Sequence, residues 1–172
     1  MTTLSAVDRL AERAHAGQVD KAGAPYVEHV RAVAAGLAPF GPELQMAGLL
    51  HDVLEDTEWT ADALRAAGVP DRVVAVVEAV TDEPGVSYEE KIRRIARDPD
   101  AVLVKIADNA HNSRPDRAAG LAPDRRERLA AKYAGARAVL WPAAEAEDVE
   151  AILRIVNPHL LPELPHRAGP VT

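Results

Sequence analysis

The sequence contains no cysteine. Disulfide bonds and thiolate metal sites are therefore excluded, and the side chains left to bind a metal ion are those of His, Asp and Glu. Any metal site in this chain must use nitrogen and oxygen ligands. At 172 residues the chain has the length of a single domain and enough residues to bury a core without covalent cross-links.

Long apolar runs and blocks of positive charge are also missing. No stretch approaches roughly eighteen uncharged apolar residues, and the N-terminal segment MTTLSAVDRLAERAH carries charges throughout. The sequence therefore predicts no membrane span and a soluble, cytoplasmic protein. A net charge of −7, with Lys and Arg scattered, argues against a nucleic-acid duplex as partner but leaves room for a small phosphorylated ligand. The choice between monomer and homodimer stays open.

Signals for β-strands are few. Alanine is abundant, β-branched runs are short and Asn-Gly hairpin turns are missing, so the sequence predicts an all-α single-domain bundle of eight to nine helices. The segment "AVLVKIA" has the composition of a buried strand, but we predict a helix because no other segment offers a strand partner. We expect one domain over residues 1–157, followed by a Pro-rich tail over 158–172 that packs irregularly or frays.

Apolar spacing, together with the Gly, Pro and capping residues between the apolar segments, predicts nine helices with approximate bounds 4–16, 26–37, 42–54, 60–68, 70–80, 87–97, 101–112, 123–141 and 145–156.

The stretch "GLLHDVLEDTEW" places acidic and basic groups on a helix that also has leucines to bury. One polar arc of this predicted helix holds four side chains: His51, Asp52, Glu55 and Asp56. Three carboxylates so close repel one another unless a cation lies among them. Gly48 falls in the same arc, where a missing side chain is expected to leave room for a metal ion or a substrate.

Two further polar residues lie in apolar surroundings. His29 precedes Val30, and Asp108 follows the apolar run of residues 102–106, so each is expected to be buried and to need a partner. Two imidazoles and two carboxylates would suit a first-row divalent ion such as Mn²⁺, Fe²⁺ or Zn²⁺, with positions left for water. A His-Asp dipeptide alone also occurs by chance, and "EDTEW" alone could be a solvated helix end.

Three segments in order carry a more specific signature: "AHAGQVDKAGAPYVEHV", "AGLLHDVLEDT" and "VLVKIADNAHNSR". Between Ala14 and Arg114 they resemble the HD-domain phosphohydrolases, and within these the hydrolase domain of RelA/SpoT homologues and the small alarmone hydrolases. The resemblance implies an all-helical fold and removal of the 3′-pyrophosphate from ppGpp or pppGpp. It also implies one Mn²⁺-type ion on four ligands: His29, His51, Asp52 and Asp108.

The resemblance further implies roles around the metal ion. Glu55 and Asp56 correspond to carboxylates that position and activate the attacking water, and Glu55 lies one turn beyond His51, where it can stand beside the ion without ligating it. The residues corresponding to substrate contacts are Lys21, Asn112 and Arg114.

Asp20 departs from the resemblance, because these relatives usually carry an Arg there that stacks on guanine. We therefore expect guanine recognition to lose a contact and to gain a negative charge. This expectation keeps other substrates open, namely a 3′-phosphorylated cofactor such as NADPH, an adenine alarmone or a nucleoside monophosphate. A non-catalytic nucleotide-binding module is disfavoured, because all four ligands and both following carboxylates are present.

Overall fold

The computed structural model describes residues 2–165, and over these residues it confirms the all-α prediction. Its eleven α-helices are α1 (Leu4–Ala14), α2 (Tyr26–Gly36), α3 (Pro42–Leu50), α4 (Val53–Asp56), α5 (Ala61–Ala66), α6 (Asp71–Val80), α7 (Tyr88–Ile95), α8 (Pro99–Asn112), α9 (Pro115–Ala118), α10 (Pro123–Leu140) and α11 (Ala146–Val156). Three 3-10 helices cover Ala38–Phe40, Trp141–Ala143 and Pro158–Glu163. The described residues contain no β-strand beyond an isolated bridge between Val19 and Pro25.

Helix α8 lies at the centre of the molecule and contains the ambiguous "AVLVKIA" segment. Asp98 caps its N-terminus by accepting hydrogen bonds from the backbone N–H groups of Asp100 and Ala101, and Pro99 occupies the first turn. The helix packs against α2, α3, α6, α10 and α11. A helix enclosed on all sides needs apolar residues all round, which explains a composition that resembles a buried strand.

Helices α2 and α3 approach closely at Gly48. A Cβ atom at this position would lie 3.0 Å from Ala34 Cα and 2.8 Å from Leu37 Cδ1, both on the side of α2. The expectation that Gly48 leaves room for a metal ion or a substrate is therefore wrong. The missing side chain instead lets the two helices pack together, and this fixes the distance between His29 on α2 and the end of α3.

The predicted helix over 42–54 is interrupted in the structure. Helix α3 ends at Leu50, and Asp52 (φ −103°, ψ −1°) leaves the helical path before α4 begins. The carbonyl of Gly48, which a continuing helix would offer to the N–H of Asp52, accepts a hydrogen bond from the His51 ring at 2.8 Å. The separate α4 and the short α9 account for the difference between nine predicted helices and the eleven in the described residues.

The chain beyond α11 is ordered as far as it is described. Its 3-10 helix over Pro158–Glu163 packs on α11, buries Leu160, and places Glu163 Oε2 2.8 Å from Nη2 of Arg137. This part of the tail is helical rather than irregular, and residues 166–172 lie outside the described residues. None of the described helices has both the length and the apolar composition needed to cross a membrane.

Candidate metal centre

The structure brings together the four predicted metal ligands from three segments of the chain. His29 comes from α2, His51 and Asp52 from the turn between α3 and α4, and Asp108 from α8. Asp108 Oδ1 lies 3.3 Å from His29 Nε2 and 3.6 Å from His51 Nε2. Asp52 Oδ2 lies 2.9 Å from His51 Nε2 and 3.5 Å from His29 Nε2. One potential ligand atom each from His29, His51 and Asp108 lie within 4.8 Å of one another.

Hydrogen bonds on the far side of each imidazole orient the two rings. His51 Nδ1 lies 2.8 Å from the carbonyl oxygen of Gly48, which can only accept, so Nδ1 carries a hydrogen and Nε2 is the nitrogen that faces the Asp52 and Asp108 carboxylates. His29 Nδ1 lies 2.7 Å from His111 Nδ1. Burial, with the neighbouring His29, lowers the pKa of His111 to about 3. A neutral His111 can accept from His29 Nδ1–H, which leaves His29 Nε2 facing the carboxylates.

The charges of the cluster fit a divalent cation. His51 Nε2 is buried and has no hydrogen-bond partner among the described residues, although Asp52 is close. Burial alone would lower the pKa of His51, but the Asp52 and Asp108 carboxylates outweigh it and raise the pKa above its ordinary value. The two carboxylates thus favour a positive charge, from a proton or a cation, next to His51 Nε2. Two imidazole nitrogens and two carboxylates are a ligand set that can hold a first-row divalent metal ion.

Three side chains hold the carboxylates in place. The hydroxyl of Tyr26 donates to Asp52 Oδ2 at 2.6 Å, Asn112 Nδ2 donates to Asp108 Oδ1 at 2.6 Å, and Lys105 Nζ lies 2.7 Å from Asp108 Oδ2. Burial would raise the pKa of Asp108, but Lys105 and the two histidines lower it well below its usual range. Sequence reasoning missed Tyr26 and Lys105, although a lone Lys in a buried apolar helix was a signal that it needs an anionic partner.

Glu55 and Asp56 have different surroundings. Glu55 Oε1 accepts from the backbone N–H of Asp82 at 2.5 Å and from Lys91 Nζ at 3.2 Å, which ties it to the loop between α6 and α7. Burial and the nearby Asp52 raise the pKa of Asp56, so this carboxylate is electrostatically coupled to the metal ligands. Sequence reasoning also missed Lys91, a buried lysine beside Ile92 on the apolar face of α7.

A cavity of about 100 Å³ adjoins the cluster. Asn112 lines it and also bonds to Asp108, so the cavity and the predicted ligands share a side chain. Lys21 lines it as well, and burial together with Arg125, Lys132 and Arg117 lowers its pKa. Among the described residues that line the cavity, none is Asp or Glu. A concentration of cations in a protein of net charge −7 is a local feature that suits an anionic ligand.

The structure separates Arg114 from this cavity. Its Nε lies 3.0 Å from Asp116 Oδ1 and its Nη2 lies 3.0 Å from Asp116 Oδ2. The cavity lining contains Arg117 and not Arg114. Arg117 Nη1 donates to Asp20 Oδ2 at 2.6 Å. The expectation that Asp20 adds a free negative charge to the site is therefore wrong, because its carboxylate is neutralised by Arg117.

Comparisons with known proteins agree with this architecture. The sequence matches the HD domain family over residues 8–136. It is 34% identical over 170 residues to the guanosine-3′,5′-bis(diphosphate) 3′-pyrophosphohydrolase of Spiroplasma citri, an alignment covering 86% of this chain and 22% of that protein. It is 37% identical over 133 residues to the Haemophilus influenzae protein of the same name, covering 70% of this chain and 19% of that one.

Another relative is the GTP pyrophosphokinase of Streptomyces coelicolor, 39% identical over 127 residues, covering 66% of this chain and 15% of that protein. The chain thus spans less than a quarter of these curated relatives. A solved structure described as "A metazoan ortholog of SpoT hydrolyzes ppGpp and plays a role in starvation responses" is 25% identical, with a TM-score of 0.70 and coverage of 90% of this chain and 95% of that one. His51 and Asp52, the HD pair of this sequence, converge with His29 and Asp108. Together with the sequence match and the fold, this makes the chain a member of the HD domain family.

Proposed function

We propose that this chain is a divalent-metal-dependent phosphohydrolase that removes the 3′-pyrophosphate from ppGpp or pppGpp. The observation that carries the proposal is a buried cluster of His29, His51 and Asp108, with the partly exposed Asp52 beside it, joined through Asn112 to a cavity lined by cations. A metal ion held by the cluster would act on the phosphoryl bond that is broken. The cationic side chains of the cavity would attract the remaining groups of a phosphorylated nucleotide. The pyrophosphohydrolases among the relatives and the metazoan ppGpp hydrolase support the same activity.

The ion is proposed to be Mn²⁺, Fe²⁺ or Zn²⁺, held by four ligands: His29, His51, Asp52 and Asp108. A divalent ion there would supply Lewis acidity for activating water and for taking up charge on a phosphoryl oxygen. The protein's own contribution is orientation. Tyr26 and Asn112 fix the carboxylates, and the contacts at Nδ1 fix both imidazole rings.

Two carboxylates are proposed to handle the attacking water. Asp56 is proposed to accept its proton, since partial burial and the negative charge of Asp52 raise its pKa and make it a stronger base than an ordinary aspartate. Glu55 is proposed to orient the water, because one oxygen is already held by Lys91 and by the backbone of Asp82.

The substrate is proposed to contact Lys21 and Asn112 within the cavity, with Arg114 at a greater distance because Asp116 holds its guanidinium. Two features of position 20 keep other substrates open, namely the missing arginine and the negative charge of Asp20. Arg117 neutralises that charge, so only the missing arginine still favours adenine nucleotides, NADPH or a nucleoside monophosphate.

A release assay tests the proposed function. Purified protein with Mn²⁺ is incubated with ppGpp, pppGpp, NADPH, a nucleoside monophosphate and adenine analogues, and pyrophosphate and phosphate are scored separately. We expect pyrophosphate from ppGpp and pppGpp, lost in Asp52→Asn together with the metal. Glu150→Gln is the matched control, because Glu150 pairs with Arg154 on the surface of α11 and does not line the cavity.

A parallel incubation with ATP and GTP covers the activity named in the pyrophosphokinase relatives. We expect no ppGpp to form. Formation of ppGpp, or release that is unchanged when Mn²⁺ is withheld by a chelator, would contradict the proposal.

A further inference from the structure

The cavity beside the candidate metal centre has apolar walls and several cationic side chains that donate hydrogen bonds. Leu121, Leu129 and the ring of Tyr133 supply flat apolar surface, and Lys21 and Arg126 add N–H donors. Its volume of about 100 Å³ is of the same order as the roughly 150 Å³ of a cavity that holds one benzene ring. The apolar walls suit the face of a planar ring, while the cations suit acceptor or anionic groups attached to it.

Arg117 is held rigidly at the edge of this cavity. Its Nη1 donates to Asp20 Oδ2 at 2.6 Å, and the side chains of Asp20 and Arg117 are only 5% and 15% exposed. The other oxygen of Asp20 accepts from the backbone N–H groups of Ala22 and Ala24 at 2.8 and 3.0 Å. Asp20 thus joins its own loop to a residue that lies far along the sequence. An ion pair so little exposed restricts the guanidinium to one position.

The same guanidinium points towards the metal ligands. Arg117 Nη2 lies 3.3 Å from Asn112 Oδ1, and Asn112 Nδ2 donates to Asp108 Oδ1 at 2.6 Å. Since a guanidinium can only donate and a carboxylate can only accept, the Asn112 amide is held in one orientation. These contacts use two of the five N–H donors of Arg117, and the other three have no hydrogen-bond partner among the described residues.

The polar groups left for a ligand determine which base edge the cavity accepts. Guanine presents two acceptors, O6 and N7, which match the donor fork of an arginine, whereas adenine presents one acceptor next to an N–H₂ donor. We propose, on the basis of the function proposed above, that Arg117 is the residue that selects guanine in this chain. Asp20 is the positioning residue that holds it. The pair thereby supplies a guanidinium from α9, whereas the loop at residue 20 supplies only the ammonium of Lys21.

Equilibrium binding of GDP and ADP tests the inference without turnover, because neither nucleotide carries a 3′-pyrophosphate. We expect the wild-type protein to bind GDP more tightly than ADP by roughly tenfold or more, the discrimination of one bidentate arginine contact. Arg117→Lys keeps the charge but loses the fork, so it should abolish the preference while the protein stays folded. Asp20→Asn keeps an acceptor for Ala22 and Ala24 but loses the ion pair, so it should reduce the preference.

Arg154→Ala is the control, because Arg154 pairs with Glu150 on α11 and does not line the cavity. Thermal melts of every variant separate a folding defect from a loss of selection. Equal binding of GDP and ADP by the wild type, no measurable GDP binding, or a preference that survives Arg117→Lys would overturn the inference.

Hydrolysis of ppGpp is measured on the same samples and distinguishes this inference from the proposed function. In Arg117→Lys we expect KM to rise several-fold with little change in kcat, because the base is remote from the bond that breaks. A wild type that prefers GDP through Arg117 but releases no pyrophosphate would reject the proposed function alone. A wild type that hydrolyses ppGpp with no dependence of KM on Arg117 would reject the inference alone.

Discussion

At the residue scale, the candidate metal centre depends on single atoms that each have an assigned partner. Asp108 Oδ1 faces the two histidines and Asn112, while its Oδ2 faces Lys105. Asp52 Oδ2 faces His51 and is held from the other side by the Tyr26 hydroxyl. Asp108 is buried and has a partner on each oxygen, so it has little freedom to turn and is preorganised for its predicted role as a ligand.

The hydroxyl of Tyr26 gives the first prediction at this scale. Tyr26→Phe keeps the ring and its core packing but removes the donor to Asp52 Oδ2, so we expect Mn²⁺ affinity to fall by about 10- to 100-fold. Calorimetric titration with Mn²⁺ measures the change. Tyr88→Phe, which removes a hydroxyl on α7, is the control, and equal affinities in the two variants would count against an orienting role for Tyr26.

The two carboxylates after the HD pair give the second prediction. Asp56→Asn and Glu55→Gln should both retain the metal ion and the fold, and each should lower kcat by roughly 10²- to 10⁴-fold if its carboxylate handles the water. Metal content by elemental analysis and single-turnover rates are measured together. Near-wild-type rates in Glu55→Gln alone would restrict Glu55 to anchoring Lys91 and the loop at Asp82.

At the element scale, the sequence predicted which segments are helical better than it predicted where a helix is interrupted. Caps, prolines and glycines are local signals that helped to locate the long helices, whereas α8 was predicted to be helical because no other segment offered a strand partner. The interruption at His51 and Asp52 could not be predicted from local sequence signals. There the His51 ring hydrogen-bonds to the Gly48 carbonyl, and the Asp52 carboxylate accepts a hydrogen bond from Tyr26 on α2. The role of Gly48 likewise depends on a neighbouring helix whose position no spacing rule supplies.

The close approach of α2 and α3 predicts an unusual response to Gly48→Ala. Alanine normally favours a helix over glycine by about 1 kcal/mol, but here the added Cβ would meet Ala34 and Leu37. We expect a net loss of about 1–3 kcal/mol in the free energy of unfolding, measured by urea denaturation. Gly135→Ala in α10 is the matched control, since nothing lies within 4 Å of a Cβ there, and it should be neutral or stabilising.

The N-terminus of α8 predicts a dependence of stability on pH. Burial would raise the pKa of Asp98, but hydrogen bonds from Arg72 and from the backbone of Ala101 and Asp100 lower it below its ordinary value of 3.8. A carboxyl group whose pKa is lower in the folded than in the unfolded state stabilises the fold at pH values above its unfolded-state pKa. This stabilisation is lost as the pH falls through the folded-state pKa.

Asp98→Ala should therefore destabilise the protein by about 0.5–2 kcal/mol at neutral pH, the usual cost of losing an N-cap. The difference from wild type should shrink as pH falls below 3.8. Urea denaturation at several pH values checks this. Asp124→Ala, in the first turn of α10, makes the same substitution away from a capping position, and a difference independent of pH would contradict the assignment.

At the scale of the whole molecule, the sequence predicted the fold class and the set of ligands to examine, but not the cavity. His29, the HD pair and Asp108 stand out because each is polar in apolar surroundings. Arg117 has no such signal, since it lies in an exposed-looking, charged segment. Its role depends on a contact with Asp20 that only the packing of α9 against the loop before α2 creates.

The convergence of distant segments predicts that metal binding stabilises the entire domain. Excess Mn²⁺ should raise the melting temperature, because an ion that binds only the folded state adds about 2.7 kcal/mol at a hundred times its dissociation constant. EDTA should reverse the shift. Asp52→Asn should show little or no shift, and an equal shift in that variant would indicate binding away from the four predicted ligands.

The order of the predicted ligands along the chain also has a consequence for biosynthesis. His29 is made first, the HD pair follows, and Asp108 comes last on a helix that α10 and α11 later cover. At translation rates of about 5–20 residues per second, the ribosome needs on the order of several seconds to proceed from His29 to Asp108. A nascent chain therefore offers only an incomplete set of ligands during that interval. Binding of an ion by all four predicted ligands would therefore belong to the last stages of translation or to the completed chain, when α8 has entered the core.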